Sequence, residues 1–135
     1  MIRYLIVGAT SGILFGILDV LINANPLAQR LYAVYQPIAR PSIRPLGGIL
    51  IDLVYGFAMA GAFLLLYASL PGAAGVVKGV SFGVLAWFFR VVMQAASQWV
   101  MFCIPLKTLL YSVVSGLGEM LILGVLYGLC LRPAT

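Results

Sequence analysis

Residues 79–102 read GVSFGVLAWFFRVVMQAASQWVMF, a run long enough to cross a bilayer as one helix. Arg90 stands at its middle. An arginine at that depth costs about 2.5–3.5 kcal/mol on insertion, whereas each Leu, Ile, Phe or Val returns about 0.3–0.6 kcal/mol. We therefore expect Arg90 to have a partner. Gln94 and Gln98 follow on the same helix face, which predicts a polar stripe turned toward protein or water.

The composition excludes a soluble globular protein. The chain has 135 residues, of which 64% are hydrophobic and 8% are charged, and its mean hydropathy is +1.15. Eight basic and three acidic residues are too few to cover a soluble surface. The net charge of +5 comes from basic residues near segment ends, as membrane topology requires, so we expect no nucleic-acid partner. We predict an integral protein of a bacterial inner membrane.

Histidine is absent and there are two cysteines. Cys103 and Cys130 come at opposite ends of the last two apolar segments, so we expect them on opposite sides of the bilayer. Without histidine or a cysteine cluster, we expect no conventional zinc, haem or iron–sulfur site, no metal and no cofactor.

The apolar runs predict an all-α, four-transmembrane-helix bundle in a single domain. The predicted spans are about residues 3–22, 47–67, 79–102 and 109–131. A signal peptide is the alternative for the first run, but the run is long and residues 23–26 offer no good cleavage site, so we predict a retained helix.

A short helix at about residues 26–36 is predicted between spans one and two. Asn25 is a good N-cap and Pro26 a good first residue. Apolar residues recur at helical spacing with tyrosines beside them, which favours a helix lying in the membrane interface. It is interpreted as an anchor, with a gate or an anionic-lipid contact as the alternative.

An internal repeat is suggested by two alignments. Residues 8–18 match residues 75–85 at five of eleven positions. The second and fourth spans also align, because Val54, Gly56, Leu66 and Tyr67 match, in that order, Val114, Gly116, Leu126 and Tyr127. The alignments predict two parallel-related αα-hairpin repeats about a pseudo-two-fold axis along the membrane normal.

Glycines four residues apart predict close helix packing. Such small-xxx-small faces let membrane helices approach closely. The packing glycines predicted here are Gly8, Gly12, Gly16, Gly75, Gly79, Gly83, Gly124 and Gly128.

Each predicted span carries one ionisable group, and their depths predict a polar funnel within the bundle. Its bottom is formed by Arg90 with Glu119, and Gln94 lies above them. Its mouth is formed by Asn23, Asn25, Asp19, Asp52 and Gln98. Three arginines, Arg30, Arg40 and Arg44, flank the mouth in the connection after span one.

We expect Arg90 to pair with Glu119. The pair either fixes helix register or belongs to a functional site. Three carboxylates facing one arginine need a further explanation: a protonated carboxyl group, a bound cation, or Arg40 and Arg44 folding back onto Asp19 and Asp52. The first two explanations predict proton or cation handling, whereas the third is architectural.

The positive-inside rule gives the orientation. The side with the 23–46 and 103–108 connections holds four basic residues and the other side holds three, which predicts that both termini lie outside.

Several of these residues carry a resemblance to a loose group of small bacterial four-span membrane proteins. The shared features are Tyr55-Gly56-Phe57, Gly61, Tyr67-Ala68, Gly72, Gly75, Gly83, Trp87, Glu119, Gly124 and Tyr127. The resemblance covers roughly residues 47–131, implies a four-helix integral membrane fold and carries no known activity. The chain differs from small multidrug transporters, because the acidic residue of its first span, Asp19, lies at the far end.

Three functions are consistent with this pattern. The first is a small channel or transporter acting as a homo-oligomer, with a dimer favoured; Glu119 would carry a proton or cation, Arg90 would tune it, and Gln94 and Gln98 would line the path. The second is a non-catalytic accessory subunit of a larger membrane complex. The third, a lipid-active enzyme using Asp19 and Asp52, ranks last because no nucleophile or metal site is evident, so we expect no enzyme.

Overall fold

Four helices in the computed structural model are long and apolar enough to cross a membrane, and the described residues form an all-helical fold, as predicted. The structure describes residues 1–42 and 44–133. Its α-helices are α1 (Ile2–Ala24), α2 (Pro26–Leu31), α3 (Pro45–Leu66), α4 (Gly75–Trp87), α5 (Met93–Met101) and α6 (Leu106–Cys130). A 3-10 helix (Tyr32–Ile38) extends α2, and a π-helical turn (Phe88–Val92) joins α4 and α5 into one span.

Three spans begin earlier than the sequence predicts. The helix α3 begins at Pro45, whose fixed φ suits a first helical position. The third span begins at Gly75, before the predicted start at about residue 79, because Gly72 and Gly75 adopt positive φ angles of 120° and 43° that complete the preceding turn sooner. The last helix begins at Leu106, directly after Pro105.

The short helix after span one forms as its cap residues predict. The backbone N–H of Ala28 donates to Asn25 Oδ1 at 2.9 Å, and Pro26 is the first helical residue. From Tyr32 the winding tightens to 3-10 and ends at Ile38, one residue after Pro37, which has no N–H to donate.

Glycines allow the four spans to pack as two hairpins. The first hairpin consists of α1 and α3, and the second consists of the third span (α4, the π turn and α5) and α6. In the first hairpin, a Cβ on Gly12 would lie 2.9 Å from Asp52 O, and Gly56 faces the backbone of Gly8 and Gly12. In the second, Gly79 and Gly124 face each other's carbonyl oxygens. Each hairpin is therefore held by backbone-to-backbone contact, which any side chain at these positions would prevent.

An aromatic core fills one half of the space between the hairpins. The rings of Phe63, Phe82 and Tyr127 lie 5.4–6.1 Å apart, and Phe63 and Tyr127 are fully buried. This half contains the chain's first residue and the turn between α3 and α4, and we call it the terminal side. The opposite half, next to α2 and the 3-10 helix, is the connection side, and the hairpins separate there.

We predict that Gly124→Ala destabilises the bundle and that Gly118→Ala does not. A Cβ on Gly124 would overlap the carbonyl oxygen of Gly79 and lie 3.2 Å from Gly83 Cα, whereas nothing lies within 4 Å of a Cβ on Gly118. Overpacking of this kind costs about 1–3 kcal/mol. The measurement is the free energy of unfolding of the single chain in mixed micelles titrated with sodium dodecyl sulfate, at a micelle excess that leaves one copy per micelle, so that contacts between copies do not enter. Equal stability of the two variants on the same helix would contradict the packing described above.

Candidate functional site

A polar cavity of about 370 Å³ lies between the hairpins on the connection side. Its lining comes from α1, the 3-10 helix, the third span and α6. The polar side chains in the lining are Asp19, Asn23, Tyr32, Tyr35, Arg90, Gln94, Gln98, Ser112, Ser115 and Glu119. The last turn of α1 forms the outer end, and the inner end lies near the middle of the third span and of α6.

Arg90 and Glu119 form the inner end. Arg90 Nη1 lies 3.8 Å from Glu119 Oε2, closer than 4 Å but too long for a hydrogen bond. The side chain of Glu119 is 5% exposed and that of Arg90 is 34% exposed. Within the described residues, Glu119 Oε1 is buried without a hydrogen-bond partner. Buried polar atoms nearly always have a partner, so this carboxyl group has an unused acceptor at the end of the cavity.

The guanidinium of Arg90 is also held by two aromatic rings. Its Cζ lies 4.7 Å from the ring centroids of both Phe15 and Tyr55, which stack on each other with centroids 4.7 Å apart. These rings belong to the first hairpin, whereas Glu119 belongs to the second. Arg90 therefore contacts both hairpins, through cation–π attraction on one side and charge on the other.

The backbone around Arg90 is π-helical from Phe88 to Val92. A π turn closes over one residue more than an α-helical turn, so the side chains that follow it point in a different direction around the helix. The three residues of the predicted polar stripe, Arg90, Gln94 and Gln98, all line the cavity.

Hydrogen bonds organise the outer end. Tyr35 donates its hydroxyl to Gln98 Oε1 at 2.9 Å, and Asn23 Nδ2 donates to Asp19 Oδ1 at 2.9 Å. Burial raises the pKa of the Tyr32 hydroxyl above its usual value, so the group remains a neutral donor. The outer end thus presents one exposed carboxylate among neutral polar groups.

Six of the predicted funnel residues line the cavity and two do not. Asp52 lies instead at the α1–α3 contact, where a Cβ on Gly16 would be 2.8 Å from its Oδ2. Asn25 is occupied as the cap of α2 and donates to Tyr111 Oη at 2.8 Å. The lining residues are Asp19, Asn23, Arg90, Gln94, Gln98 and Glu119.

The arginines of the connection do not neutralise the spans' carboxylates. Arg30, Arg40 and Arg44 are exposed. Among residues 1–42 and 44–133, Arg90 and Glu119 form the one ion pair within 4 Å, so neither Arg40 nor Arg44 reaches Asp19 or Asp52. Of the three explanations for the excess negative charge, protonation and a bound cation therefore remain.

Other lining residues escaped the sequence analysis. Ser112 and Ser115 were missed, although they share one face of α6 with the predicted Glu119 at helical spacing, a signal that the sequence does contain. The aromatic partners of Arg90 left no comparable signal, because Phe15 and Tyr55 sit in ordinary apolar runs. Within the described part of the chain, no three Cys, Asp or Glu side chains are grouped closely enough to hold a metal ion.

We predict asymmetric effects of removing the two charges of the pair. Arg90→Gln leaves Glu119 buried without its cation, and we expect a loss of about 1–3 kcal/mol, less than the 3–5 kcal/mol of fully buried pairs because Arg90 is partly exposed. Glu119→Gln should cost less, because Arg90 keeps its two aromatic rings and access to the cavity.

A double-mutant cycle on the free energy of unfolding measures this coupling. The double variant, Arg90→Gln with Glu119→Gln, should recover most of the stability lost by Arg90→Gln alone. Strictly additive losses would show that the two side chains do not interact.

Comparison of the chain with protein-family models, curated proteins and solved structures gives no match. The resemblance to small bacterial four-span proteins therefore stays a prediction, and any functional conclusion has to come from the chemistry of the cavity itself.

Proposed function

We propose that this protein is a small membrane transporter or channel, acting as a homo-oligomer, in which Glu119 handles a proton or a cation. The observation that carries the proposal is the buried, unpartnered Glu119 Oε1 at the inner end of a polar cavity. A carboxyl group in this position can accept a hydrogen bond from water in the cavity, bind an entering cation or take up a proton, and the last two events are the ones a transporter would use.

The net charge of the cavity lining favours a cation as the transported species. Asp19 and Glu119 line it together with one cation, Arg90. With all three ionised, the lining is negative overall, and its walls have low dielectric, which focuses attraction on cations. Among the described residues, Arg90 is the only basic one in the lining, and it lowers that attraction without cancelling it.

Each polar residue then has a role. Asp19 attracts the cation at the outer end, and Gln94 and Gln98 supply neutral donors and acceptors along the path. Arg90 lies 3.8 Å from the carboxyl group, a distance that leaves the ion pair open to exchange rather than locked by a hydrogen bond. A proton or cation that binds Glu119 would weaken this pair, and release would restore it.

The aromatic core favours a gated transporter over an open pore. The cavity ends at Arg90 and Glu119, and the fully buried rings of Phe63 and Tyr127 fill the terminal side. Passage to that side requires the hairpins to move apart there. Each hairpin is internally rigid through its glycine contacts, so rocking of one hairpin against the other is the motion we propose.

Corresponding glycine contacts in the two hairpins support the internal repeat. They align the second and fourth spans differently from the sequence alignment, which matched Gly56 with Gly116. Gly56 packs between Gly8 and Gly12, whereas Gly116 packs against Val91. The residue with the contacts of Gly56 in the second hairpin is instead Gly128, beside Gly75 and Gly79.

The aromatic pairs agree with that register. Phe15 lies against Tyr55 in the first hairpin, and Phe82 lies against Tyr127 in the second. We propose that the two hairpins are parallel-related repeats and that α2 with the 3-10 helix lies in the membrane interface.

Dimerisation is proposed from the outer surface of α6. Val114, Gly118 and Ile122 share one exposed face, and Gly118 has open space around it. A glycine on such a face permits close approach of a helix from a second copy.

We predict that Glu119→Gln abolishes flux while the protein still folds. Purified protein in liposomes would be tested with a pH-sensitive dye inside and an imposed gradient of protons, Na⁺ or K⁺. Glutamine keeps the shape of glutamate but neither exchanges a proton nor balances a cation, so flux should fall to the level of protein-free liposomes. Asp52→Asn is the matched control, because this carboxylate lies outside the cavity, and it should retain flux. Flux retained by Glu119→Gln would refute the role of that residue.

A non-catalytic accessory subunit is the second candidate, and the closed inner end of the cavity favours it. In that role Arg90 and Glu119 would meet polar groups of a partner. The native mass of the protein extracted from its own membranes in mild detergent separates the two proposals. A self-oligomer supports transport, whereas a larger partner in fixed stoichiometry supports the accessory role.

A further inference from the structure

A second cavity lies on the terminal side, between the first turns of α1 and the end of α6. Its volume is about 610 Å³, and most of its wall is apolar, including Ile6, Val7 and Leu129. Two arginines, Arg3 and Arg132, complete the lining. We call it the terminal groove. Its volume is within the range of about 300–1,000 Å³ found for ligand sites.

Among the residues that the structure describes, the two arginines of the terminal groove have no acidic side chain within 4 Å. The chain has no Asp or Glu before Asp19 or after Glu119. Among the described residues, the terminal-side ends of α1 and α6 therefore carry basic but no acidic side chains, although they border an apolar surface.

A ligand that matches this groove needs an anionic head and an apolar tail. Arginine binds phosphate oxygens with two parallel N–H donors, and basic pockets between membrane helices bind anionic lipid headgroups. An acyl chain would cover Ile6, Val7 and Leu129 below the headgroup level. A second copy of this chain fits less well, because symmetric docking would bring four arginines together.

We propose that the terminal groove binds one anionic glycerophospholipid. Its phosphate contacts Arg3 and Arg132, and one acyl chain lies along the apolar wall between α1 and α6. The site is separate from the polar cavity and does not depend on the function proposed for Glu119. A lipid in this position links the ends of the two hairpins on the side where the aromatic core joins them.

Native mass spectrometry of the delipidated full chain tests the proposal. Phosphatidylglycerol and phosphatidylcholine with identical acyl chains are the probes, and we expect one tightly bound phosphatidylglycerol per chain. An arginine near an anionic headgroup is worth about 1 kcal/mol, so Arg3→Gln or Arg132→Gln should weaken binding about 5-fold and the double variant roughly 30-fold. Both arginines are exposed, so these variants should fold. Arg30→Gln, an exposed arginine on the connection side, is the matched control and should leave this affinity unchanged.

Cys130 gives a second readout, because it lines the terminal groove. In a Cys103→Ser background, phosphatidylglycerol should slow the reaction of Cys130 with N-ethylmaleimide. In a Cys130→Ser background, the exposed Cys103 should react at the same rate with and without lipid.

Three results would overturn the proposal. They are equal affinity for phosphatidylcholine, undiminished phosphatidylglycerol binding by the double variant, and a groove covered by a second copy in place of lipid. None of them bears on flux through the polar cavity, so failure here leaves the proposed function to its own test.

Discussion

The cost of placing Arg90 near the middle of a membrane span is the constraint on which this structure depends. A guanidinium at that depth needs both charge and polarizable surface around it. The protein supplies Glu119 from one hairpin and the stacked rings of Phe15 and Tyr55 from the other. Because these groups come from different hairpins, satisfying the arginine also brings the two halves of the bundle together.

Packing within each hairpin differs from packing between the hairpins. Within each hairpin, glycines allow backbones to touch, and the contacts depend on the absence of side chains. Between hairpins, large aromatic side chains fill the terminal half, and the polar cavity occupies the other. The molecule therefore consists of two tightly packed hairpins with a partly open interface between them. This arrangement places Arg90 and Glu119 at that interface, whereas Asp52 lies inside the first hairpin.

Much of the fold could be predicted from the sequence, because long apolar runs and glycine spacing act locally. The four spans, the cap at Asn25 and the polar stripe from Arg90 to Gln98 follow from such patterns. The position of Asp52 could not be predicted, because depth along a span does not determine which side of a helix faces a cavity. The π turn at Arg90 and its aromatic partners also depend on tertiary packing, which no local pattern records.

The closed terminal half has an electrical consequence. Water in the polar cavity would carry the potential of the connection-side solution inward as far as Glu119. Most of the membrane voltage would then fall across the aromatic half alone, rather than across the whole bilayer. A charge crossing the full potential gains or loses about 2.3 kcal/mol per 100 mV. For this protein, nearly all of that energy would be concentrated in the short step between Glu119 and the terminal side, past Phe63 and Tyr127.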